Sequence, residues 1–381
     1  MIAMLKDKQK AQLNMEWSED AKYNSFNSMK GLVYYEHYQK ILDWLDGNSY
    51  LPPPVECNLD PFAACNLSCH FCITQRYLRT NPEEVGNMRS LPPEYMVHLV
   101  DFLSSWGVRG LCISGGGEPT LHPGVPEVLR YAQSRNMKTS IFTNGTYMTP
   151  ALIVALRGCQ FVTWSINASD AETYQHITRV SLFDRAVANM KILAGNNKKP
   201  HAFICARMLI LPENYKQIYD VCKMAKELGL DGFSIRPVDY ERSDIIGHRK
   251  LDIPVDEVVT QFEYCHKEET EDFRVFTVTH KFDPYFHVKH DFNECWATPL
   301  LLPILQDGNA YLCVDKKMEA DYRLGSCYPE PSQILSWWGS DAHRQLIKRV
   351  DIRKCSRCTF SQYNRQMEEV VRNDSMMVSF P

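Results

Sequence analysis

The sequence predicts an α/β fold with a parallel sheet, followed by a smaller segment that carries several cysteines. Six short apolar runs alternate with helical patterns between about residue 50 and residue 250. This alternation indicates parallel strands, because a strand that returns through a helix lies parallel to the one before it. Beyond residue 290 the spacing changes and cysteines recur up to residue 358.

The predicted elements begin with a helix over residues 28–46, which Gly47 ends. The six strands are predicted at the apolar runs Glu56–Ala64, Gly110–Ser114, Thr139–Thr143, Phe161–Ile166, Ala202–Ile210 and Gly232–Arg236. A further helix is predicted over Pro254–Glu269. We therefore divide the chain into an N-terminal helical segment (1–50), an α/β domain (51–250), a helical connector (251–290) and a C-terminal cysteine-bearing domain (291–381).

Composition excludes several classes of protein. The net charge of −4 lacks the basic excess of a dedicated nucleic-acid binder. No apolar run approaches the ~18 residues of a membrane helix, and residues 1–20 contain no apolar signal-peptide core. The 14 cysteines then suggest metal or cluster ligands in a reducing compartment, and we expect a cytoplasmic protein.

A compact cysteine motif follows the first predicted strand directly. Cys65, Cys69 and Cys72 have the spacing C-x3-C-x2-C on one predicted loop. Three thiolates this close can hold three irons of a cubane cluster and leave the fourth iron open. An open position is what a catalytic metal site needs, whereas a structural site is closed. A zinc site completed by His70 or by a distant ligand is the alternative.

A glycine-rich turn, Ser114–Pro119, ends the second predicted strand. Alone it is typical of any strand-to-helix turn, but together with the cysteine motif it resembles the radical S-adenosylmethionine (SAM) superfamily over about residues 55–240. The resemblance implies a partial (β/α)6 parallel barrel and a 4Fe–4S cluster on Cys65, Cys69 and Cys72. It also implies that the open iron chelates the amino and carboxylate groups of SAM. One electron then cleaves SAM to a 5′-deoxyadenosyl radical, which abstracts a substrate hydrogen.

The same resemblance implies contacts with SAM at matching positions. These are Phe71 for adenine, Gly116, Gly117 and Glu118 for the methionine amino group, and Ser165 and Asn167 for the ribose or carboxylate. Arg207 and Arg236 end the fifth and sixth strands and are expected to pair with the SAM carboxylate or an anionic substrate group. Surface ion pairs are their alternative. Thr143 and Asn144, after the third strand, are further candidates.

A second cysteine pattern, C-x12-G-x4-C followed by a distant C-x2-C, consists of Cys295, Cys313, Cys355 and Cys358, with Gly308 as its glycine. It resembles the SPASM/twitch extension, which implies a small C-terminal domain with an auxiliary 4Fe–4S cluster. The full SPASM pattern has a further cysteine where Asn364 stands, so the shorter twitch form is expected. Cys327 is the substitute ligand, and a zinc ribbon is the alternative reading of the four cysteines.

The function expected from these motifs is that of a radical SAM oxidoreductase. We expect it to dehydrogenate or epimerise a small polar metabolite such as a sugar, aminocyclitol or nucleoside, with the auxiliary cluster as electron acceptor. Within the family the nearest resemblance is to the aminocyclitol dehydrogenase of the butirosin pathway. The alternative is a SPASM-type maturase of a ribosomally made peptide. Against it, the N-terminal segment is short and fewer auxiliary cysteines are present. A non-catalytic zinc-binding protein is a remote alternative.

The expected electron donor is a flavodoxin or ferredoxin, whose acidic surface suits a basic docking site. Basic residues crowd the C-terminal tail, namely Arg344, Lys348, Arg349, Arg353, Lys354, Arg357 and Arg365. A solvated helix face is the alternative reading of these charges. No contact with nucleic acid or membrane is expected.

Overall fold

The computed structural model describes residues 28–74, 88–195, 202–238, 253–277, 292–355 and 358–372. The strands in these ranges are β1 (Glu56–Leu59), β2 (Gly110–Ile113), β3 (Lys138–Thr143), β4 (Phe161–Ser165), β5 (Phe203–Ile210), β6 (Gly232–Pro237), β7 (Arg274–Thr277), β8 (Leu301–Ile304), β9 (Asn309–Tyr311) and β10 (Arg323–Ser326). They form one sheet of ten strands in the order β10-β9-β8-β1-β2-β3-β4-β5-β6-β7.

The α-helices of the described residues lie mostly between these strands. They are α1 (Tyr35–Leu45), α2 (Pro93–Trp106), α3 (Val125–Ser134), α4 (Pro150–Arg157), α5 (Ala171–Thr178), α6 (Phe183–Gly195), α7 (Ile218–Glu227), α8 (Val255–Lys267), α9 (Ile334–Trp337), α10 (Asp341–Lys348) and α11 (Ser361–Gln366). A 3-10 segment, Ser28–Tyr34, precedes α1, and a π-helical turn, Met367–Arg372, follows α11.

The parallel sheet confirms the fold class predicted from the alternating pattern. Each neighbouring pair from β1 to β7 is parallel, and the six predicted strands appear in their predicted order. The first is shorter than predicted and ends at Leu59. Beyond it Pro61 has no N–H to donate, and the chain leaves the sheet as the cysteine loop. The carboxyl ends of these strands therefore gather at one edge, where ligands of such sheets bind.

Helix α2 shows why the local sequence forms these elements. Its apolar side chains Met96, Leu99 and Leu103 recur at helical spacing and are completely buried. Burying each such side chain stabilises the fold by about 1.5–3 kcal/mol. Gly107 ends the helix at φ +112°, a conformation that favours glycine, and its N–H donates to the Leu103 carbonyl at 3.1 Å.

Four of the ten described strands, β7 to β10, were not predicted from the sequence. The apolar run Pro299–Leu305 contains β8, which lies parallel to β1 on the side opposite β2. At the far end of the sheet, β7 pairs with β6. The sheet therefore continues from the predicted α/β domain into the predicted C-terminal domain without a break. The division into four segments stays a prediction, and a part of each segment lies outside the described residues.

The N-terminal helix differs from its prediction at its start. Its first residues form the 3-10 segment before α1, in which Leu32 is 52% exposed. Within α1 the buried side chains begin with Tyr38, Ile41 and Trp44.

Among the described residues, no helix combines the length and the apolar character that crossing a membrane requires.

Candidate active site

The cysteine loop lies at the carboxyl edge of β1. Backbone bonds fix it against the end of α5, with Ser68 N–H donating to the Thr178 carbonyl at 2.9 Å and His70 N–H to the Ile177 carbonyl at 3.3 Å. Within the loop, Cys72 N–H donates to the Cys69 carbonyl at 3.1 Å. The loop is thus shaped by its own backbone bonds and by α5.

The three thiols of this loop, Cys65, Cys69 and Cys72, are half-buried neighbours. Burial raises the pKa of Cys65 to about 11. Burial also raises the pKa of Cys69 to about 12, and the nearby thiolate charges of Cys72 and Cys65 add to this effect. Such thiols ionise readily only beside a cation, which is what iron supplies.

The donor set fits an iron–sulfur cluster. A cubane cluster binds each thiolate at a different iron, so the sulfurs must be neighbours without converging on one point. In the part of the chain that the structure describes, no three His, Cys, Asp or Glu side chains converge as ligands of a single metal ion. The loop supplies three neighbouring thiols at one sheet edge, as a cluster with one open iron needs.

The glycine-rich turn packs against the cysteine loop. A Cβ atom at Gly117 would lie 2.1 Å from the Ala64 carbonyl oxygen, so only glycine permits this approach. The N–H of Glu118 donates to the same oxygen at 2.9 Å. The two predicted motifs therefore form one unit at the edge of β1 and β2.

Glu118 organises this unit from within. Its carboxylate is 3% exposed and accepts from the Thr143 hydroxyl at 2.7 Å and from the Asn144 N–H at 2.7 Å. It also accepts from the N–H and hydroxyl of Thr120. Burial raises the pKa of Glu118, while these hydrogen bonds oppose the shift. The carboxylate thus accepts hydrogen bonds from the surrounding loops, and its contact with the amino group of SAM stays a prediction.

Asn144 connects the end of β3 to the cysteine loop. Its Nδ2 donates to Asn66 Oδ1 at 2.9 Å and lies 3.9 Å from Cys65 Sγ. Its Oδ1 accepts from the Thr146 N–H at 2.9 Å, which holds the side chain in place. Hydrogen bonds to cluster sulfurs alter the reduction potential, so Asn144 is well placed to influence a cluster on Cys65.

The other predicted SAM contacts lie along the same sheet. Ser165 and Arg207 are paired in register on β4 and β5, so their side chains share a face. The Arg207 guanidinium lies 4.7 Å from the centre of the Phe142 ring. Arg236 is two residues beyond Ser234, the register partner of Arg207, and falls on that face as well.

Asn167 and Phe71 are more constrained than the sequence indicates. Asn167 Oδ1 accepts from the Leu209 N–H at 2.8 Å, so one of its polar groups supports β5. Phe71 packs with Ile177 and Leu211 beyond the end of β5. Both residues lie near the carboxyl ends of the strands, as the resemblance implies, and their contact with SAM stays a prediction.

The C-terminal cysteines come from separate elements and are close enough to interact electrostatically. Cys295, Cys313 and Cys358 influence one another electrostatically, and Cys355 acts on Cys295 in the same way. Burial raises the pKa of Cys295 to about 12, and the charge of Cys355 adds to it. These mutual effects indicate that the four cysteines of the second pattern share one region of the molecule, and their role as ligands of one cluster stays a prediction. We call them the quartet.

Asn364 supports the quartet from the position where the full SPASM pattern has a cysteine. It is fully buried, and its Oδ1 accepts from the N–H groups of Trp296 at 2.7 Å and Ala297 at 2.8 Å. Its Nδ2 donates to Cys358 Sγ at 3.5 Å. One side chain therefore ties the chain after Cys295 to the sulfur of Cys358.

Cys327 lies apart from the quartet. It is fully buried, its thiol contacts the Gly308 carbonyl at 3.1 Å, and its own carbonyl accepts from the Tyr95 hydroxyl. Burial raises its pKa to about 12, with no contribution from the quartet among the causes. The other cysteines outside both patterns are also buried, namely Cys57, Cys112, Cys159, Cys205, Cys222 and Cys265.

A polar cluster beside the cysteine loop was missed by the sequence analysis. Asp60, just after β1, accepts from the Ser114 hydroxyl at 2.6 Å and pairs with Lys317 Nζ at 2.9 Å. Lys317 also contacts Asn58. The Asp60 and Lys317 side chains are 4% and 14% exposed. Their sequence separation explains the omission, because no local spacing links residue 60 to residue 317.

One family of proteins matches the region that contains this site. The model of the Radical SAM superfamily matches residues 59–235. The AdoMet-dependent heme synthase of Methanosarcina barkeri is 28% identical over 198 residues, which cover 47% of this chain and 54% of that protein. The antilisterial bacteriocin subtilosin biosynthesis protein AlbA of Bacillus subtilis is 26% identical over 197 residues, which cover 51% of this chain and 41% of AlbA. The chain spans about half the length of these relatives.

Solved structures extend the likeness to the whole sheet. Streptococcus suis SuiB bound to precursor peptide SuiA has a TM-score of 0.60 at 19% identity, covering 92% of this chain and 78% of SuiB. At this identity the likeness is one of fold. It supports the mostly parallel α/β architecture over nearly all of the chain.

Proposed function

Because the model of the Radical SAM superfamily matches residues 59–235, we propose that the protein is a radical SAM enzyme whose cluster is held by Cys65, Cys69 and Cys72. One observation carries this proposal: three neighbouring half-buried thiols share a sheet edge with the glycine turn at Gly116 and with Asn144. When bound, the cluster and SAM supply a radical that removes a hydrogen atom from the substrate.

The chain's own residues hold this edge in one arrangement. Glu118 ties the glycine turn to the end of β3, and Gly117 allows that turn to contact the cysteine loop. Ser165, Arg207 and Arg236 line the neighbouring strand ends with groups suited to the ribose or to a carboxylate. Such preorganisation reduces the free-energy cost of placing SAM and substrate in reacting geometry.

We further assign the auxiliary 4Fe–4S cluster to the quartet. A centre with four protein ligands has no open coordination position, which suits an electron acceptor better than a substrate-binding site. Cys295 and Cys313 are half-buried, which limits the access of solvent to such a centre. This assignment supports an oxidation in which the substrate loses a hydrogen atom and then an electron and a proton.

For the substrate we favour a ribosomally made peptide. The sequence analysis gave preference to a small polar metabolite, but the relatives support the peptide alternative better. AlbA takes part in bacteriocin biosynthesis, and SuiB was solved with a precursor peptide. The likeness to the butirosin-pathway dehydrogenase stays a prediction.

The electron donor is proposed to be a flavodoxin or ferredoxin. The basic tail is less positive than its sequence suggests, because Arg344 pairs with Asp341 at 2.7 Å and Arg353 with Asp351 at 2.8 Å. Arg365 pairs with a glutamate one turn further on. Docking on this tail would therefore depend on the other basic residues, namely Lys348, Arg349, Lys354 and Arg357, the last of which lies outside the described residues.

The substrate class can be tested without knowing the substrate. Anaerobically reconstituted enzyme is incubated with SAM, dithionite and extract of the source organism, separated into fractions below and above about 1 kDa. We expect the larger fraction to stimulate 5′-deoxyadenosine formation and a protease to abolish that effect. If only the small fraction stimulates 5′-deoxyadenosine formation, and a protease does not abolish that effect, the substrate is a small metabolite and not a peptide. Cys69→Ala enzyme with the same fractions measures the background.

A further inference from the structure

Gln306 is a buried amide in the turn between β8 and β9. It is completely buried, and neither Oε1 nor Nε2 has a hydrogen-bond partner among the described residues. Folded proteins rarely leave a buried amide unpaired, because desolvating its donor and acceptor lowers stability. Gln306 therefore has the properties of a residue whose partner is a ligand.

The glycine of the second cysteine pattern places Gln306 in this turn. Leu305 N–H donates to the Asn309 carbonyl at 2.9 Å, and Gly308 N–H donates to the Leu305 carbonyl at 2.9 Å. Gly308 has φ +74°, and a Cβ there would lie 2.3 Å from Tyr328 Cβ. The tight turn thus requires glycine at position 308, and its two backbone hydrogen bonds fix the position of Gln306.

The Gln306 amide faces the glycine turn of the SAM site. A Cβ built on Gly116 would lie 3.4 Å from Gln306 Oε1, 3.5 Å from Thr74 Cγ2 and 3.8 Å from Met318 Cε. By contrast, a Cβ at Gly115 or Gly117 would overlap backbone atoms at 2.1 Å. Gly116 is therefore the member of this turn that opens toward Gln306 and toward the chain after Cys72.

We propose that Gln306 binds the methionyl end of SAM. Its planar amide offers one acceptor and one donor group side by side, and the methionyl end offers an amino donor and a carboxylate acceptor. The proposal rests on the SAM site proposed above at Gly116. It makes the segment between Cys295 and Cys313 a wall of that site, so that the C-terminal part of the chain contributes directly to SAM binding.

The test is the affinity of reconstituted holoenzyme for SAM, measured anaerobically by calorimetry. Gln306→Met keeps the length of the side chain and removes both polar groups. We expect it to weaken SAM binding about tenfold or more, as the loss of hydrogen bonds to a charged ligand does. We also expect its melting temperature without SAM to be equal to or above that of the wild type, because an unpaired buried amide is gone. Unchanged SAM affinity would overturn the proposal.

Two controls separate this outcome from trivial ones. Gln261 has a paired amide, with Nε2 donating to the Tyr215 carbonyl at 2.7 Å and Oε1 accepting from the Tyr219 N–H at 3.2 Å. Gln261→Met should lower the melting temperature and leave SAM affinity unchanged. Cys69→Ala should abolish the cluster-dependent affinity. If Cys69→Ala binds SAM like the wild type, the proposed SAM site is wrong. If Cys69→Ala lowers the affinity for SAM but Gln306→Met does not, only the proposed role of Gln306 is wrong. Gln306→Leu replaces the Met variant if that variant does not fold.

Discussion

The two cysteine sets of this protein are built in opposite ways. Cys65, Cys69 and Cys72 lie within eight consecutive residues on one loop. The quartet is drawn from residues 295 to 358, and Asn364 links the chain after Cys295 to the sulfur of Cys358. The first set is shaped by local backbone bonds, whereas the second is a product of the tertiary fold.

This difference matches different demands on the two sites. Under the proposal, the loop with three thiols leaves one iron open at the sheet edge where Gly116 and Gln306 lie. The quartet, in contrast, is proposed to supply all four protein ligands of its cluster, so that no coordination position is left for substrate. All seven cysteines are half-buried, so the two sets differ in where their ligands come from along the chain and not in exposure.

The largest expected effect comes from breaking the local set. Cys69→Ala leaves one iron without its thiolate, so the cluster becomes labile. We expect SAM cleavage to fall to background when 5′-deoxyadenosine is measured by chromatography after anaerobic reconstitution with dithionite. Residual cleavage at a rate near that of the wild type would contradict the assignment. Cys222→Ala, which removes a buried thiol of α7 that belongs to neither set, is the matched control.

Breaking the support of the quartet should have an intermediate effect. Asn364→Leu leaves the N–H groups of Trp296 and Ala297 buried and unpaired, at a cost of about 1–3 kcal/mol each. We expect loss of about four irons from the C-terminal site and a lower free energy of unfolding, with SAM cleavage retained. Asn364→Asp keeps the acceptor but not the donor to Cys358. It should fold normally and shift only the reduction potential of the auxiliary centre. Wild-type iron content and stability in Asn364→Leu would show that Asn364 plays no part in the site.

The smallest effect is expected at the cysteine outside both sets. Cys327→Ala removes a thiol that contacts the Gly308 carbonyl but lies apart from the quartet. We expect unchanged iron content and a loss of about 1 kcal/mol in the free energy of unfolding, measured by chemical denaturation. A fall in iron content would instead make Cys327 a ligand, and the composition of the quartet would have to be revised.

Local patterns made much of this molecule predictable. The six strands and the cysteine loop follow from apolar runs and from the spacing of Cys65, Cys69 and Cys72, because these features depend on neighbouring residues. The position of β8 was not predictable, since the run Pro299–Leu305 fits a buried strand in any part of the sheet.

Long-range partners explain what the sequence analysis missed. Gln306 has no local feature that distinguishes it from a surface glutamine; its burial arises from the pairing of β8 with β1. Asn364 was noted only as a missing cysteine, and its bonds to Trp296 and Ala297 depend on how α11 packs. Glu118 was recognised, but its four hydrogen bonds to Thr120, Thr143 and Asn144 require the fold.

The central claim is that the two cysteine sets hold separate clusters with separate tasks. The most direct measurement is iron content together with SAM cleavage in wild-type protein and in the Cys355→Ala/Cys358→Ala double variant. The account predicts about eight irons in the wild type and about four in the variant. SAM cleavage should persist in the variant, and the oxidised product should disappear because the quartet no longer holds an electron acceptor. A wild type with only about four irons after careful reconstitution would contradict the account, since the quartet would then hold no cluster.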